Sequence, residues 1–206
     1  NFMTQKFPYV KLQDVAIVRA GVPSREIDRL SADGVIAVKM IGPATLVGTY
    51  LSKVDGEDVS LPGPVATRHG LKEGDILTPS RGVFRASLLD KEPEQLSGGF
   101  QLVAGPLCYV VRVDDLKADP AYVAWLLSTP STRAKMTASA RGAAARLFSR
   151  DALAEIDFPL PPIEMQRKLA RIARDAQALL VARRDEVRLE LAITTQELSE
   201  ILGLNA

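Results

Sequence analysis

The strongest pattern along the chain is a heptad-like repeat of apolar positions in residues 163–202. Successive positions are four or three residues apart up to Leu179. The step from Ala176 to Leu180 is a four-residue stutter, after which the repeat continues from Leu180 with Arg184 where an apolar residue is missing. The positions are Met165, Leu169, Ile172, Ala176, Leu179, Leu180, Val187, Leu191, Thr194, Leu198 and Ile201. A seam this narrow favours a coiled coil, and the alternative is a helix packed on its own domain. A helix of this length would span about 60 Å.

Strand-like patterns fill the first half of the chain. β-branched or alternating apolar runs bounded by Gly and Pro predict strands. They lie at residues 9–19 (after a short turn), 34–41, 74–82 (ending in a turn), 84–89, 100–104 and 107–113. Residues 52–74 are rich in Gly, Pro, Asp and Ser, which predicts a loop with at most one strand.

Helix signals then replace the strand signals. Asp119-Pro120 and Thr129-Pro130 each place a capping side chain before a proline at the first helical position, which predicts two consecutive helices. The second helix is predicted to run to about Arg141 and to end at Gly142. Ser149 caps a short third helix at 150–155. A β-rich part followed by an α-rich part predicts an α+β domain.

A proline-punctuated segment separates this domain from the long helix. Pro159, Pro161 and Pro162 fix their own φ angles and lack backbone donors, so the segment cannot be helix interior. The predicted organisation is a globular domain at 1–162, a dimerisation or spacer helix at 163–202 and a tail at 203–206.

Composition excludes several classes of protein. The 206 residues are 47% hydrophobic and 25% charged, as in ordinary globular proteins. The net charge of +1 gives the chain no overall positive field that would attract nucleic acid. No apolar run approaches the roughly 18 residues that span a bilayer. The single cysteine, Cys108, lies in an apolar run and predicts a buried structural thiol in a cytoplasmic setting.

Enzymatic constellations are missing from the sequence. With one cysteine and one histidine, the chain has no zinc set and no Cys/His nucleophile pair, and it has no nucleotide-binding glycine loop. We therefore expect neither a cofactor nor catalysis. His69 lies between Arg68 and Gly70 and is predicted to be a surface loop residue.

Two basic segments are the candidate binding sites. No acidic residue occurs from Pro120 to Arg150, and small side chains there would let a phosphate approach the backbone closely. The turn after the 74–82 strand also presents polar and basic side chains, and Lys39 lies on the 34–41 strand. The predicted contacts are Lys39, Ser80, Arg81, Arg85, Arg133, Lys135, Arg141 and Arg146.

Charge along the long helix is divided between its two halves. Residues 163–184 hold six basic side chains and two acidic ones, whereas residues 185–202 hold five acidic side chains and one basic one. Two such helices laid antiparallel would match basic halves with acidic halves, and exposed charges set orientation more than stability. An antiparallel homodimer is therefore the predicted pairing.

Four segments in order resemble the specificity subunits of type I restriction–modification enzymes. They are VKLQDVAIVRAG at 10–21, GDILTPSRG at 74–82, DPAYVAWLLSTPSTRAKMTASARG at 119–142 and LFSRDALAEIDFPLPPIEMQRKLARI at 147–172. Chains of that family have two target recognition domains, each followed by a long helix. This chain has one of each, and it is expected to be a half-subunit or a fragment.

The resemblance implies a non-catalytic subunit that reads double-stranded DNA. It implies recruitment of a methyltransferase subunit, which uses S-adenosylmethionine, and of a restriction subunit. Phosphate contacts from 133–150 would position the domain, and loops near Lys39 and 80–85 would read bases. A two-fold dimer would read a palindromic split site. The alternative is an adaptor that keeps this fold and regulates a restriction complex without binding DNA.

Overall fold

The structure is a computed structural model that describes residues 6–27, 34–51, 54–140 and 147–202. The chain divides into two compact units, Asn1–Arg167 and Lys168–Ala206, and we describe each by itself. The first unit contains all the strands of the described residues. The described residues of the second belong almost entirely to one helix, which begins in the first unit.

The first unit combines short strands with short helices, which confirms the predicted α+β class. The strands are β1 (Tyr9–Lys11), β2 (Ala16–Ala20), β3 (Val35–Ile41), β4 (Glu57–Pro62), β5 (Asp75–Pro79), β6 (Ser87–Leu88), β7 (Leu102–Ala104), β8 (Cys108–Val113) and β9 (Asp157–Pro159). The helices are α1 (Leu12–Val15), α2 (Ser24–Ile27), α3 (Gly63–His69), α4 (Pro93–Ser97), α5 (Pro120–Ser128), α6 (Pro130–Ser139), α7 (Arg150–Ala154) and α8 (Ile163–Ile201), with a 3₁₀ turn at Pro43–Thr45.

An antiparallel four-stranded sheet forms the centre of the unit. Its strand order is β2-β8-β5-β6, so β8 and β5 are the inner strands. Val111 of β8 is paired with Val18 on one side and with Ile76 on the other. Val111 and Ile76 are completely buried in a core cluster with Val123 and Leu127 of α5. The alternate residues Leu77 and Val110 point into a second cluster on the other face.

A three-stranded sheet of order β4-β3-β7 adjoins the central sheet. Strands β3 and β4 are antiparallel, whereas β3 and β7 are parallel, with Lys39 opposite Leu102. The amide of Gly105 donates to the carbonyl of Ile41 at 2.8 Å as the chain passes from β7 towards β8. The side chains of Val38, Leu61 and Val103 form the core on this sheet.

The two ends of the first unit are joined by a small sheet. Strand β1 pairs antiparallel with β9, with Val10 opposite Phe158. The Gln166 side chain, which is 1% exposed, accepts from the amide of Asp119 and donates to the carbonyl of Pro161. The first turn of α8 is thereby fixed to the domain that precedes it.

An ion pair with a buried carboxylate connects the inner strands. Asp75 is 1% exposed and accepts from Arg112 Nε at 2.7 Å and from Arg112 Nη2 at 2.6 Å. This hydrogen bonding raises the pKa of Arg112, against the opposing effect of partial burial. The Lys72 amide donates to the same carboxylate at 2.9 Å. Asp75 therefore joins β5, β8 and the turn before β5.

Several local predictions need correction. Residues 63–69 form a helix where the sequence predicted loop, because Gly63 and Pro64 start a turn that continues to His69. His69 is accordingly the last residue of α3, and its largely buried ring has its pKa lowered by burial and by the charge of Arg68. The strand predicted at 84–89 is reduced to Ser87–Leu88.

Other predictions are confirmed. Cys108 is fully buried, and burial raises the pKa of its thiol to about 12. The caps at Asp119, Thr129 and Ser149 accept hydrogen bonds from the first turns of α5, α6 and α7. Helix α6 ends at Ser139, and the stop predicted at Arg141 and Gly142 lies outside the described residues.

Candidate nucleic-acid interface

The turn that follows β5 is held to residues 147–148 by backbone hydrogen bonds. The amide of Ser80 donates to the carbonyl of Leu107 at 2.8 Å, and the amide of Phe148 donates to the carbonyl of Ser80 at 2.9 Å. Arg81 and Leu147 form an isolated antiparallel bridge. The chain then reverses at Gly82, whose φ of +87° suits glycine. The turn is thus fixed along its backbone rather than being a free loop.

Two buried aromatic side chains pack together at the same turn. Phe84 and Phe148 are 2% and 3% exposed, and their rings meet edge to face with centroids 5.4 Å apart. Such pairs add stability beyond the burial of their area. The Tyr109 hydroxyl donates to the carbonyl of Phe148 at 2.9 Å. Two segments predicted separately from the sequence therefore meet in the fold.

Helix α6 lies beside this turn and presents a basic surface. Its buried face carries Thr132 and Met136, so Arg133 and Lys135 are exposed. An open groove of about 530 Å³ runs between the turn and the helix. The groove is lined by Val83, Phe84, Pro130, Arg133, Ala134, Thr137 and Ala138. No acidic side chain is among these described lining residues.

The cations around the groove differ in their partners. The side chains of Arg81 and Arg133 have no hydrogen bond or ion pair to another described residue, and both residues are exposed. The Lys135 Nζ atom instead lies 2.7 Å from Asp157 Oδ1. That hydrogen bond and the charge of Lys135 lower the pKa of Asp157. Two arginines are therefore available to an anionic ligand, and the lysine is already paired.

The side chains of Arg85 and Lys39, which are also predicted contacts, have partners elsewhere in the domain. The half-buried Arg85 donates from Nη1 to the carbonyl of Leu46 at 2.8 Å, so it supports a loop. Lys39 lies on β3 in the three-stranded sheet, where Nζ is 2.9 Å from Asp58 Oδ1 and 5.2 Å from the ring centroid of Phe100. Neither side chain lines the groove.

Ser80 and Arg81 thus lie in the turn whose Val83 and Phe84 line the groove together with Arg133, whereas Arg141 and Arg146 lie outside the described residues. Sequence reasoning missed Val83, which is 58% exposed at the mouth of the groove. The sequence signal that could have identified Val83 is its position between Gly82 of the turn and Phe84.

A second candidate surface is the apolar seam of α8. Seam residues from 172 onwards are exposed, where a core residue would be buried. The exposed fractions are 56% for Ile172, 65% for Leu179, 70% for Leu180, 60% for Val187, 66% for Leu191 and 54% for Leu198. Leu169 is half-buried, and the side chain of Ile201 lies outside the description. The exposed seam is compatible with the coiled-coil interpretation and leaves its partner open.

Neither a metal centre nor a membrane span occurs in the part of the chain that the structure describes. Within it, no group of three His, Cys, Asp or Glu side chains is placed to hold a metal ion. Its helices include none that is both long and apolar enough to cross a membrane.

Comparison with known proteins finds similarity in structure. No protein-family model matches the chain, and no curated protein matches it. A solved structure described as showing complex assembly and conformational transition of the type I R-M system is 16% identical with a TM-score of 0.60. That match covers 98% of this chain and 45% of the other. The HsdS subunit from Thermoanaerobacter tengcongensis is 20% identical with a TM-score of 0.57, covering 97% of this chain and 48% of that one.

These matches establish the fold that the motif resemblance predicted. The described chain has the architecture of about half of a type I specificity subunit, with a mixed α+β unit followed by a long helix. It spans about half the length of the structures that it matches.

Proposed function

We propose that this chain is a non-catalytic DNA-recognition subunit of a type I restriction–modification system, reading one half of a split site. The observation that carries the proposal is the groove between the 80–85 turn and α6. The side chains of Arg133 in the groove and of Arg81 in the turn have no hydrogen bond or ion pair to other described residues. Guanidinium groups suit both phosphate oxygens and the guanine edge. The fold shared with specificity subunits supports the same function.

The element that carries each basic side chain suggests whether that side chain would contact phosphates or bases. Arg133 projects from a helix and would contact phosphates, which positions the domain without reading sequence. Arg81 projects from a rigid turn and would reach a base edge in the major groove. Lys135 would need to leave Asp157 to contact DNA, so its contribution would be smaller. Arg141 and Arg146 remain predicted phosphate contacts.

We further propose that two chains associate through α8 as an antiparallel homodimer. The exposed seam would gain about 25 cal/mol for each Å² of apolar surface covered, so it favours a partner. Antiparallel association would bring the basic 163–184 half of one helix against the acidic 185–202 half of the other. The isologous contact would present two recognition domains to a palindromic split site.

Methyltransferase and restriction subunits are the proposed protein partners. One of the structural neighbours is described as concerning complex assembly in the type I R-M system, which supports such partners in general. In this arrangement the chain would select the site, and the partner subunits would carry out methylation and cleavage.

Co-expression with a type I methyltransferase subunit tests the proposal directly. Modification mapping of the host DNA should reveal a methylated palindromic split motif that depends on this chain. A double variant, Arg81→Ala with Arg133→Ala, should abolish the motif while keeping the subunit complex. Absence of both complex and motif would contradict the proposal.

A second candidate function is a regulatory adaptor with the same fold, and the net charge of +1 favours it because DNA-binding domains are commonly basic. A stable complex with the methyltransferase subunit but no methylated motif would support this adaptor.

A further inference from the structure

The groove beside α6 combines charge with an exposed apolar tip. Val83 is 58% exposed and Leu147 is 53% exposed. Leu147 forms a backbone bridge with Arg81, and Val83 lines the groove together with Arg133. Exposed apolar side chains and unpaired arginine side chains therefore occur together in this turn and groove. This paired arrangement, rather than either charge alone, indicates the chemistry of the ligand.

Val83 is held in place although it is exposed. The residue before it is Gly82, at a φ of +87°, and the residue after it is the buried Phe84, packed on Phe148. Arg85 is tied to the carbonyl of Leu46. With both flanks fixed, ordering Val83 at a ligand costs little further conformational entropy.

The walls of the groove allow a large ligand to approach. Ala134 and Ala138 lie one turn apart on α6 and, with Thr137, form a wall of small side chains. The described lining residues include no carboxylate, so nothing there repels a polyanion. DNA offers an anionic backbone together with one apolar group on a base edge, the 5-methyl of thymine in the major groove.

Given the proposed DNA-reading function, on which this inference rests, we infer that Val83 is a specificity-determining residue that contacts the 5-methyl group of a thymine in the half-site. Arg133 contacts the phosphate backbone beside it, and Arg81 reaches the neighbouring base edge or phosphate. An apolar protein partner would not require the unpaired side chains of Arg133, in the groove that Val83 lines, and of Arg81, in the same turn as Val83. A wholly electrostatic DNA contact would leave the exposed valine without a ligand.

The test replaces thymine with deoxyuridine, which removes only the methyl group. A preferred duplex is first selected from a random pool by the full-length chain, and each thymine of the half-site is then replaced singly. Burial of one methyl group corresponds to roughly a fourfold change in affinity. We expect one thymine whose replacement weakens binding by about that factor in the native protein, and by less than twofold in Val83→Ala.

Two further variants complete the design. Val83→Thr keeps the side-chain shape and replaces one methyl with a hydroxyl, so we expect it to reduce the thymine preference partly. Val35→Ala makes the same change as Val83→Ala on β3, away from the groove-lining residues, and should leave the thymine preference intact. Circular dichroism checks that each variant is folded.

The outcomes separate this inference from the proposed function. Binding to no duplex would overturn the DNA-reading function and the inference with it. Selective DNA binding in which no thymine methyl depends on Val83 would overturn the inference alone. If Val83→Ala kept its DNA affinity but lost the methyltransferase subunit, the groove would be a protein-docking site and the inference would be wrong.

Discussion

The two compact units of this chain differ in the exposure of their apolar side chains. In the first unit, Ile76, Val111 and Leu127 are at most 1% exposed, inside cores built from several strands and helices. In the second, Leu180 and Leu191 are 70% and 66% exposed on a single helix. The first unit thus covers its apolar surface with its own residues. The described residues of the second form one helix and leave their apolar side chains exposed.

The difference separates apolar surface that the described residues cover from apolar surface that they leave exposed. Most helical stability in proteins comes from packing an apolar face, and the seam of α8 is such a face left uncovered. Within the first unit, the groove beside α6 is likewise open, and the side chain of Arg133 that lines it has no hydrogen bond or ion pair to another described residue.

Loss of dimerisation is the largest expected effect. Replacing Leu191 and Leu198 with Lys places four charges in the seam of a dimer, and we expect a monomer by light scattering. The matched control is Leu189→Lys, which changes an equally exposed leucine outside the seam and should remain dimeric. A dimer that survives the double substitution would place the association surface elsewhere.

Breaking the ion pair of the buried Asp75 carboxylate should weaken the self-sufficient unit next most strongly. Asp75→Asn leaves the partly exposed Arg112 without its carboxylate and should cost about 2 kcal/mol, measured by urea denaturation of the full chain. The matched control is Asp58→Asn, which removes the exposed carboxylate facing Lys39 and should cost less than about 1 kcal/mol. Equal losses would show that burial of the carboxylate does not decide the contribution of the pair.

A substitution in the groove should weaken DNA binding without unfolding the domain. Arg133→Ala should weaken binding to all duplex sequences similarly and reduce the salt slope by about one, because one phosphate contact is lost. Lys117→Ala removes the same charge from the exposed loop after β8 and controls for net charge. Titrations at several salt concentrations decide the matter, and an unchanged slope in Arg133→Ala would argue against phosphate contact.

A small effect is expected at alkaline pH. Burial, followed by the charge of Tyr9, raises the pKa of Tyr122 to about 12, while an unfolded tyrosine ionises near 10. The neutral phenol, which donates to the Pro159 carbonyl, therefore contributes stability below pH 10, and this is lost as the pH rises towards 12. Tyr122→Phe should show a shallower fall in urea midpoint between pH 9 and 11. An identical fall in both proteins would assign the alkaline loss to other groups.

The sequence anticipated the elements whose pattern is local. The 34–41 run became β3, at Val35–Ile41, and the repeat in 163–202 became one continuous helix. Helix α3 was missed because its Gly63-Pro64 start resembles a turn, and its continuation to His69 leaves no strong local signal. The strand predicted at 84–89 was too long, because Phe84 and Arg85 are drawn to Phe148 and Leu46 instead of to a neighbouring strand.

The candidate site was predicted as separate pieces. Arg81 and Arg133 each stood in a recognisable basic segment, but Arg85 and Lys39 had the same appearance and lie elsewhere. An exposed cation and one held by a carbonyl or a carboxylate look alike in sequence, since the partner of Lys39 is 19 residues away and that of Arg85 is 39 residues away.

What the sequence determined by itself was periodicity, caps and charge segregation, because these depend on neighbours within one or two helical turns or along a single strand. It specified the seam of α8, the starts of α5, α6 and α7, and the α+β class. Tertiary structure decided the pairing of β1 with β9, the parallel β3–β7 pair and the meeting of Arg81 with Leu147. Such contacts join residues far apart in the chain, and packing of the whole core selects them from many pairings that local preference leaves equally open.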